Sequence, residues 1–199
     1  NQLVAGDSKN GFLYEIDKKR LIPMGEYVPY IAEVLLRLTG AKNVVDNFKA
    51  TRQVATSDKA PQQMLLELGV FRVGAGICSS IIAPEDYRKL TKNGANILTN
   101  SAFLGVFNGS PIYDWHHRSM AKLMATANAR PFLQSANSGS SFGFDSNGNE
   151  LFNIDSSGLT EFQVGLNSNK TLYSVVGEYI AAGGVVMIIG SIFYSRKRR

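Results

Sequence analysis

The chain has 199 residues, 44% of them hydrophobic, and a formal net charge of +5, which allows one sizeable buried core. Four of its cations are the last four residues, 196–199, so the rest of the chain is nearly neutral and lacks the dispersed Lys and Arg of a nucleic-acid-binding surface. A single cysteine, Cys78, excludes an internal disulfide, and two histidines without a second cysteine argue against a structural zinc site. We therefore expect no metal and no cofactor.

The first part of the chain begins with a predicted hairpin. Residues 11–14 follow a turn-forming segment, 7–10, and are typical of the second strand of a β-hairpin. Apolar residues on one helical face predict a helix over 28–38, with Gly40 placed to end it. Residues 41–62 are polar and weakly periodic, so we expect them to form a long surface loop.

The next segment predicts a βαβ unit that carries Cys78. The unit consists of a buried strand over 70–77, a helix over 84–92 and a strand over 95–100. Cys78 then lies at the carboxyl end of the first strand, the edge at which α/β proteins bind ligands. The two serines after it could cap the helix, and a helix N-terminus stabilises a thiolate. A lone cysteine is also often a small apolar filler of a core, so position alone leaves both interpretations open.

The remaining elements complete one domain, which we place at 1–168. A helix over 115–129 leads into a strand that begins at residue 132. Two strands flank the turn sequence of 145–149, and a last amphipathic strand is predicted over 160–166.

The C-terminal segment predicts a membrane-spanning helix over 173–195. Glu178 is its only charged residue, and a tyrosine lies near each end, where membrane interfaces favour amphipathic rings. The basic tail, 196–199, predicts a cytoplasmic C-terminus, which places the preceding domain on the outer side. The alternative, a buried core helix, does not account for four consecutive cations at its end. The chain opens without a start methionine or signal peptide, so we expect the C-terminal part of a longer protein.

Upstream of Cys78, residues 18–29 follow the pattern Lys-x-x-Leu-Ile-Pro-x-Gly-Glu-Tyr-Val-Pro. Together with Gly-x-x-Ile-Cys over 74–78, this pattern resembles the apolipoprotein N-acyltransferases, membrane-bound members of the nitrilase (carbon-nitrogen hydrolase) superfamily. Further segments that match in the family's order are 94–100, 102–105, 115–121, 129–131 and 137–139. The resemblance covers nearly the whole chain. It implies an α/β fold, the C-terminal portion of a nitrilase-like αββα sandwich, followed by one transmembrane helix.

The resemblance also assigns roles to single residues. Cys78 would be the nucleophile, Lys18 the catalytic lysine and Glu26 a second glutamate that supports the site. A neighbouring ammonium favours a thiolate and stabilises the negative charge that develops on an attacked carbonyl. Lys18 and the backbone N–H of Ser79 are therefore the candidates for an oxyanion hole. The family's general base is a glutamate well before the lysine and should precede residue 1.

Three downstream residues are candidate substrate contacts. Asn100 ends a strand at the predicted ligand-binding edge. Phe103 and Leu104 belong to an apolar cluster in a predicted loop, which could rest on lipid near the site or pack in a core.

The chain departs from the family's pattern at several positions. Ser79 and Ser80 stand where the family has a Tyr-Glu pair, and Ser101 stands where it has an aspartate. Met124 and Ala127 replace an arginine and a glutamate that would lie three apart on one helix, so their joint absence removes an ion pair without leaving either charge unpaired. The missing glutamate after the cysteine bears on activity and substrate preference.

Two lesser patterns allow other interpretations. Cys78, either His116 or His117, and Asn137 occur in the order of a thiol-protease triad, but adjacent histidines point to different helix faces and more often pack. The cations of 18–20 would be taken for a solvated charge run without the Pro-x-Gly-Glu that follows.

The resemblance implies an acyltransferase at the outer face of the cytoplasmic membrane. Cys78 would take an acyl chain from a phospholipid as a thioester and pass it to the N-terminal amine of a diacylglyceryl-modified lipoprotein, without a cofactor. Two alternatives remain open: a membrane-anchored nitrilase-type amidase and a catalytically inactive nitrilase-like scaffold.

Overall fold

The computed structural model describes residues 2–7, 11–18, 20–51, 65–107, 109–155 and 158–197. The strands are β1 (Gln2–Asp7), β2 (Gly11–Asp17), β3 (Leu65–Leu68), β4 (Phe71–Ile77), β5 (Ile97–Phe103), β6 (Phe132–Asn137), β7 (Ser141–Phe144) and β8 (Glu150–Ile154). The α-helices are α1 (Tyr30–Leu38), α2 (Lys42–Thr51), α3 (Pro84–Lys92), α4 (Pro111–Asn128), α5 (Leu172–Val176) and α6 (Tyr179–Lys197). Short 3₁₀ helices follow β4 and β5, at Cys78–Ile82 and Gly105–Phe107.

Strands β3 to β8 form one mixed sheet in which they lie in chain order. The central strands β4, β5 and β6 are parallel, while β3, β7 and β8 pair antiparallel at the two sides. Ile77, Ser101 and Ser135 therefore lie side by side near the carboxyl ends of the three parallel strands. Cys78 follows Ile77 directly, so the fold places it at the carboxyl edge of the sheet, where α/β folds bind ligands.

One face of this sheet is covered by α3 and α4, which connect the parallel strands. The main apolar core lies between these helices and the sheet and includes Leu98, Met124 and Phe132. Met124 is completely buried. An unpaired charge at this depth would be costly, so the position suits an apolar residue.

The hairpin of β1 and β2 covers the opposite face. Its strands pair antiparallel, which confirms the predicted hairpin, and Ile16 of β2 packs with Ala75 and Ile77 of β4. The hairpin therefore buries this side of β4, whose last four residues are buried. The hairpin also brings Lys18, the residue after β2, to the same cavity as Cys78.

Most predicted elements are present with shifted ends. The helices predicted over 28–38, 84–92 and 115–129 correspond to α1, α3 and α4, and the strands predicted over 70–77 and 95–100 to β4 and β5. Helix α4 begins earlier than predicted, at Pro111, because proline is favoured in the first turn of a helix.

The surface loop predicted over 41–62 is wrong for its first part, which forms α2. Val45 of α2 is buried, and an ion pair between Lys49 and Glu33 joins α2 to α1. These contacts stabilise α2, which has too few apolar residues for its sequence periodicity to predict a helix. Residues 52–64 lie outside the described residues.

The strand predicted over 160–166 is also wrong. Residues 158–171 are irregular, and the ring of Phe162 packs on Phe152 of β8 with their centroids 4.5 Å apart. The segment therefore uses an apolar side chain to cover β8 without adding a strand to the sheet.

The C-terminal segment forms two helices, α5 and α6, instead of the single membrane-spanning helix predicted over 173–195. Gly177 separates them with a left-handed φ of 66°, and the guanidinium of Arg88 donates hydrogen bonds to the carbonyls of Ser174 and Val175 at the end of α5. Among the described residues, no helix is both long enough and apolar enough to cross a membrane.

Gly76 of β4 gives the first testable prediction. A Cβ at this position would overlap the hydroxyl of the fully buried Tyr87 of α3, so Gly76→Ala must push α3 away from the sheet. We expect this variant to lose about 1–3 kcal/mol of unfolding free energy, measured by urea denaturation. Gly165→Ala is the matched control because nothing lies within 4 Å of its added Cβ; equal losses for the two variants would contradict this packing.

Candidate active site

A cavity of about 760 Å³ opens at the carboxyl edge of the sheet. Lys18, Glu26 and Cys78 line it together, so the fold brings the predicted nucleophile, lysine and supporting glutamate to one place. The apolar part of its lining includes Ile22, Ile77, Ala102, Phe103, Val106 and Phe107.

The ammonium of Lys18 is held by the carboxylate of Glu26. Lys18 Nζ donates to both carboxylate oxygens, at 2.7 and 2.8 Å, and the backbone N–H of Ile22 donates to the same carboxylate at 2.9 Å. Lys18 is only 8% exposed, so its charge would be costly without this partner. A tight turn places Glu26, because the N–H groups of Gly25 and Glu26 both donate to the carbonyl of Ile22. The Pro-x-Gly-Glu pattern thus encodes a turn that holds an ammonium at the cavity.

Cys78 occupies a sharp turn between β4 and the 3₁₀ helix that follows. Its φ is 49°, in the left-handed region, which costs about 1–2 kcal/mol for a residue with a Cβ. The residue is half-buried and lines the cavity. Strained residues of this kind cluster at functional sites, where the surrounding structure compensates for the strain. The packing of Cys78 therefore differs from that of an apolar filler sealed in a core.

The two serines after Cys78 hold this turn and do not cap α3. The hydroxyl of Ser80 accepts a hydrogen bond from the backbone N–H of Ile77, at 3.2 Å, and the hydroxyl of Ser79 donates to the carbonyl of Arg20. The Ser79 contact ties the nucleophile turn to the segment between Lys18 and Glu26. Helix α3 begins after Ala83 without a side-chain cap.

The three candidate substrate contacts lie in different environments. Phe103 is 52% exposed and lines the cavity. Leu104 is buried and packs against Gly139. Asn100 is 1% exposed and lies beneath Cys78, where its side-chain amide donates to the carbonyl of Cys78 at 3.3 Å.

The histidines do not build a thiol-protease triad. His117 is fully buried, its Nδ1 hydrogen bonds to Oε1 of Gln134 at 3.2 Å, and its ring packs on Tyr113 with centroids 4.6 Å apart. His116 is exposed, and among the described residues no hydrogen bond joins either histidine to Cys78. In the same part of the chain, no group of three or more His, Cys, Asp or Glu side chains could hold a metal ion.

Sequence reasoning missed Tyr113, at the start of α4. Its ring stacks on that of Phe107, a cavity residue, with centroids 3.4 Å apart. Burial raises the pKa of Tyr113 to about 12, and the negative charge of a Cys78 thiolate contributes to the rise. Tyr113 is therefore an un-ionised aromatic group near Cys78, and no local sequence pattern distinguishes it from a surface tyrosine.

The family model for carbon-nitrogen hydrolases matches residues 21–168. Curated relatives named apolipoprotein N-acyltransferase match most of the chain. The protein from Allorhizobium ampelinum is 26% identical over 96% of this chain and 37% of its own length. Apolipoprotein N-acyltransferase 1 from Treponema denticola is 27% identical over 86% of this chain and 31% of its own length. The chain thus spans about a third of the length of these relatives.

A solved structure shares the fold. An amidase of the nitrilase superfamily from a Nesterenkonia species superposes with a TM-score of 0.51, at 14% identity, over 76% of this chain and 50% of the amidase. At this identity the likeness supports a nitrilase-like α/β fold with a mixed sheet, which confirms the predicted fold class in that respect.

The Lys18–Glu26 pair gives the second prediction. Glu26→Gln keeps the shape of the side chain but leaves a buried ammonium without a counter-charge, so we expect a loss of about 3 kcal/mol of unfolding free energy, measured by urea denaturation. Glu33→Gln is the matched control, because Glu33 also pairs with two cations, Arg37 and Lys49, whose side chains are 36% and 37% exposed and can be hydrated. A loss for Glu33→Gln as large as that for Glu26→Gln would refute the role of burial.

His117 gives the third prediction. Burial lowers its pKa below the ordinary value of 6.5, so the unfolded chain binds a proton before the folded protein does as the pH falls. Stability should therefore decrease with decreasing pH below about 6.5, and His117→Gln should flatten that dependence. Urea midpoints across this pH range measure it, and His116→Gln, which removes an exposed imidazole, should leave the slope unchanged. An equal slope in the His117→Gln variant would show that this residue does not contribute.

Proposed function

Because the chain belongs to the carbon-nitrogen hydrolase family, we propose that it performs N-acyl transfer through a thioester on Cys78. The acyl donor is a phospholipid, and the acceptor is the N-terminal amine of a diacylglyceryl-modified lipoprotein. The names of the curated relatives support this choice of reaction over other reactions of the family. The observation that carries the proposal is the shared cavity of the Lys18 ammonium and the half-buried thiol of Cys78.

In the first half-reaction, the Cys78 thiolate attacks the ester carbonyl of the phospholipid. The carbonyl oxygen gains a negative charge, which the Lys18 ammonium and the backbone N–H of Ser79 stabilise. The ester C–O bond then breaks, and the lysophospholipid leaves after its oxygen takes up a proton. In the second half-reaction, the lipoprotein amine attacks the thioester, the amide forms, and the Cys78 thiol is released.

Glu26 has a supporting role in this proposal. Its carboxylate binds the Lys18 ammonium and the N–H of Ile22, so we assign it to holding the ammonium and not to proton transfer. The general base is the glutamate that the family resemblance expects before residue 1.

The apolar lining of the cavity suits an acyl chain. Phe103 and Val106 line the cavity and are also 52% and 68% exposed, so an apolar surface continues from the cavity outwards. Burying such a surface against acyl groups is favourable. We propose that the protein acts at the outer face of the cell membrane, where both lipid substrates occur.

Intact-mass measurement of the full-length protein, which the resemblance expects to include the general-base glutamate before residue 1, tests this function after incubation with phospholipid. We expect a long-chain acyl adduct that hydroxylamine removes, as it does a thioester, and that is absent from Cys78→Ala. Transfer to a lipopeptide amine should then deplete the adduct, in a ping-pong pattern.

Two other results would replace the proposal. Absence of an acyl adduct together with hydrolysis of small amides would favour an amidase. Full complementation of an acyltransferase-deficient strain by Cys78→Ala would favour a catalytically inactive scaffold.

A further inference from the structure

A buried polar network lies directly beneath the nucleophile turn. Asn100 of β5 is 1% exposed, and its side-chain amide donates to the carbonyl of Cys78 at 3.3 Å and to Oε1 of Gln134 at 3.2 Å. The hydroxyl of Tyr87 donates to Oδ1 of Asn100 at 3.2 Å. Both N–H groups of the amide and its oxygen are therefore engaged within the protein.

The partners of Gln134 set the direction of its hydrogen bonds, while the Tyr87 hydroxyl also lies 3.3 Å from the carbonyl of Thr99. Gln134 donates through Nε2 to the carbonyl of Ser140 at 3.4 Å, so its Oε1 accepts. His117 must then carry its hydrogen on Nδ1 to bond with that oxygen. Burial lowers the pKa of His117, which keeps the ring neutral and the arrangement unchanged at neutral pH. Asn100 is thus held from two sides with its remaining N–H aimed at Cys78.

Gly76 makes room for this network. A Cβ on Gly76 would overlap the Tyr87 hydroxyl and would lie 3.2 Å from Oδ1 of Asn100. Only the absence of a side chain on β4 lets the Tyr87 hydroxyl reach Asn100 beside the strand that delivers the nucleophile. Close backbone approach of this kind is a common reason for glycine in a strand.

We propose that Asn100 is a positioning residue, whose buried amide clamps the carbonyl of Cys78 and holds the nucleophile in its left-handed conformation. Cys78 has a φ of 49° and would relax to a more common conformation if its carbonyl were free. That relaxation would turn the thiol away from the cavity. The inference rests on the proposed function only in taking the Cys78 thiol as the attacking group. The effect of the clamp on the reactivity of that thiol does not depend on acyl transfer.

The test measures thiol reactivity and does not depend on acyl transfer. Cys78 is the only cysteine in the 199 residues, so a dipyridyl disulfide reports on it alone, at acid as well as neutral pH. In Asn100→Asp of the full chain, a protonated carboxyl can still donate to the Cys78 carbonyl, whereas a carboxylate cannot. We compare the rate at which the disulfide reacts with Cys78 in the variant and in the native chain. The ratio of these rates should lie near one in acid and fall about tenfold once the carboxyl ionises, because about tenfold is the effect expected for the loss of one hydrogen bond.

Asn96→Asp is the matched control. Asn96 lies directly before the same strand, β5. Its side chain also bridges backbone groups, because it donates to the carbonyl of Val70 and accepts from the N–H of Arg72. Its rate ratio should be independent of pH and close to one. Melting temperatures of both variants show whether the fold is retained.

A uniformly reduced, pH-independent ratio for Asn100→Asp overturns the proposal, because a general structural loss would not follow the titration of one carboxyl. Burial can keep this carboxyl protonated, so Asn100→Ser is measured beside it, with Asn96→Ser as its control, because the serine hydroxyl is too short to reach the Cys78 carbonyl at any pH. A loss of about tenfold in Asn100→Ser that Asn96→Ser does not share supports the clamp, whereas a rate within about twofold of native, or an equal loss in both variants, overturns it. Failure of acyl transfer with this pH signature intact would reject the proposed function and leave the clamp standing.

Discussion

A lysine ammonium can be buried beside a sheet only if a carboxylate accompanies it, and the rest of the site follows from that constraint. The turn that ends at Glu26 supplies the carboxylate and holds it through the N–H of Ile22. The same segment accepts a hydrogen bond from Ser79 through the carbonyl of Arg20. The need for a carboxylate beside the Lys18 ammonium therefore also fixes Lys18 relative to the turn that carries Cys78, although the two residues lie far apart in the chain.

The turn that carries Cys78 is held by hydrogen bonds on several sides. Ser80 bonds to the N–H that precedes Cys78, Ser79 ties the turn to the lysine segment, and Asn100 supports its carbonyl from below. The strain of a left-handed cysteine is thus compensated by hydrogen bonds that form when the sheet forms. Such preorganisation suits a reaction in which charge develops on a substrate oxygen, because the stabilising groups need not move at the moment of reaction.

The sequence predicted what depends on local patterns. The strand before Cys78 and helix α3 each follow from apolar periodicity within a short segment, whereas Glu26 was assigned only through the family resemblance. Helix α2 and the irregular segment over 158–171 were mispredicted, because their states depend on an ion pair and on a ring contact made with distant residues. The burial of Asn100 has the same origin, since only the assembled sheet shows that its amide meets the carbonyl of Cys78.

The most direct measurement is the rate at which a soluble aryl ester of a fatty acid acylates Cys78, followed by intact mass. The native chain is compared with the double variant Lys18→Met with Glu26→Gln, which removes the ammonium without leaving a carboxylate unpaired. We predict that the double variant remains folded and acylates about a hundredfold more slowly, the usual loss when one group that stabilises an oxyanion is removed. Equal rates in the two proteins would contradict the assignment of the Lys18 ammonium to this site.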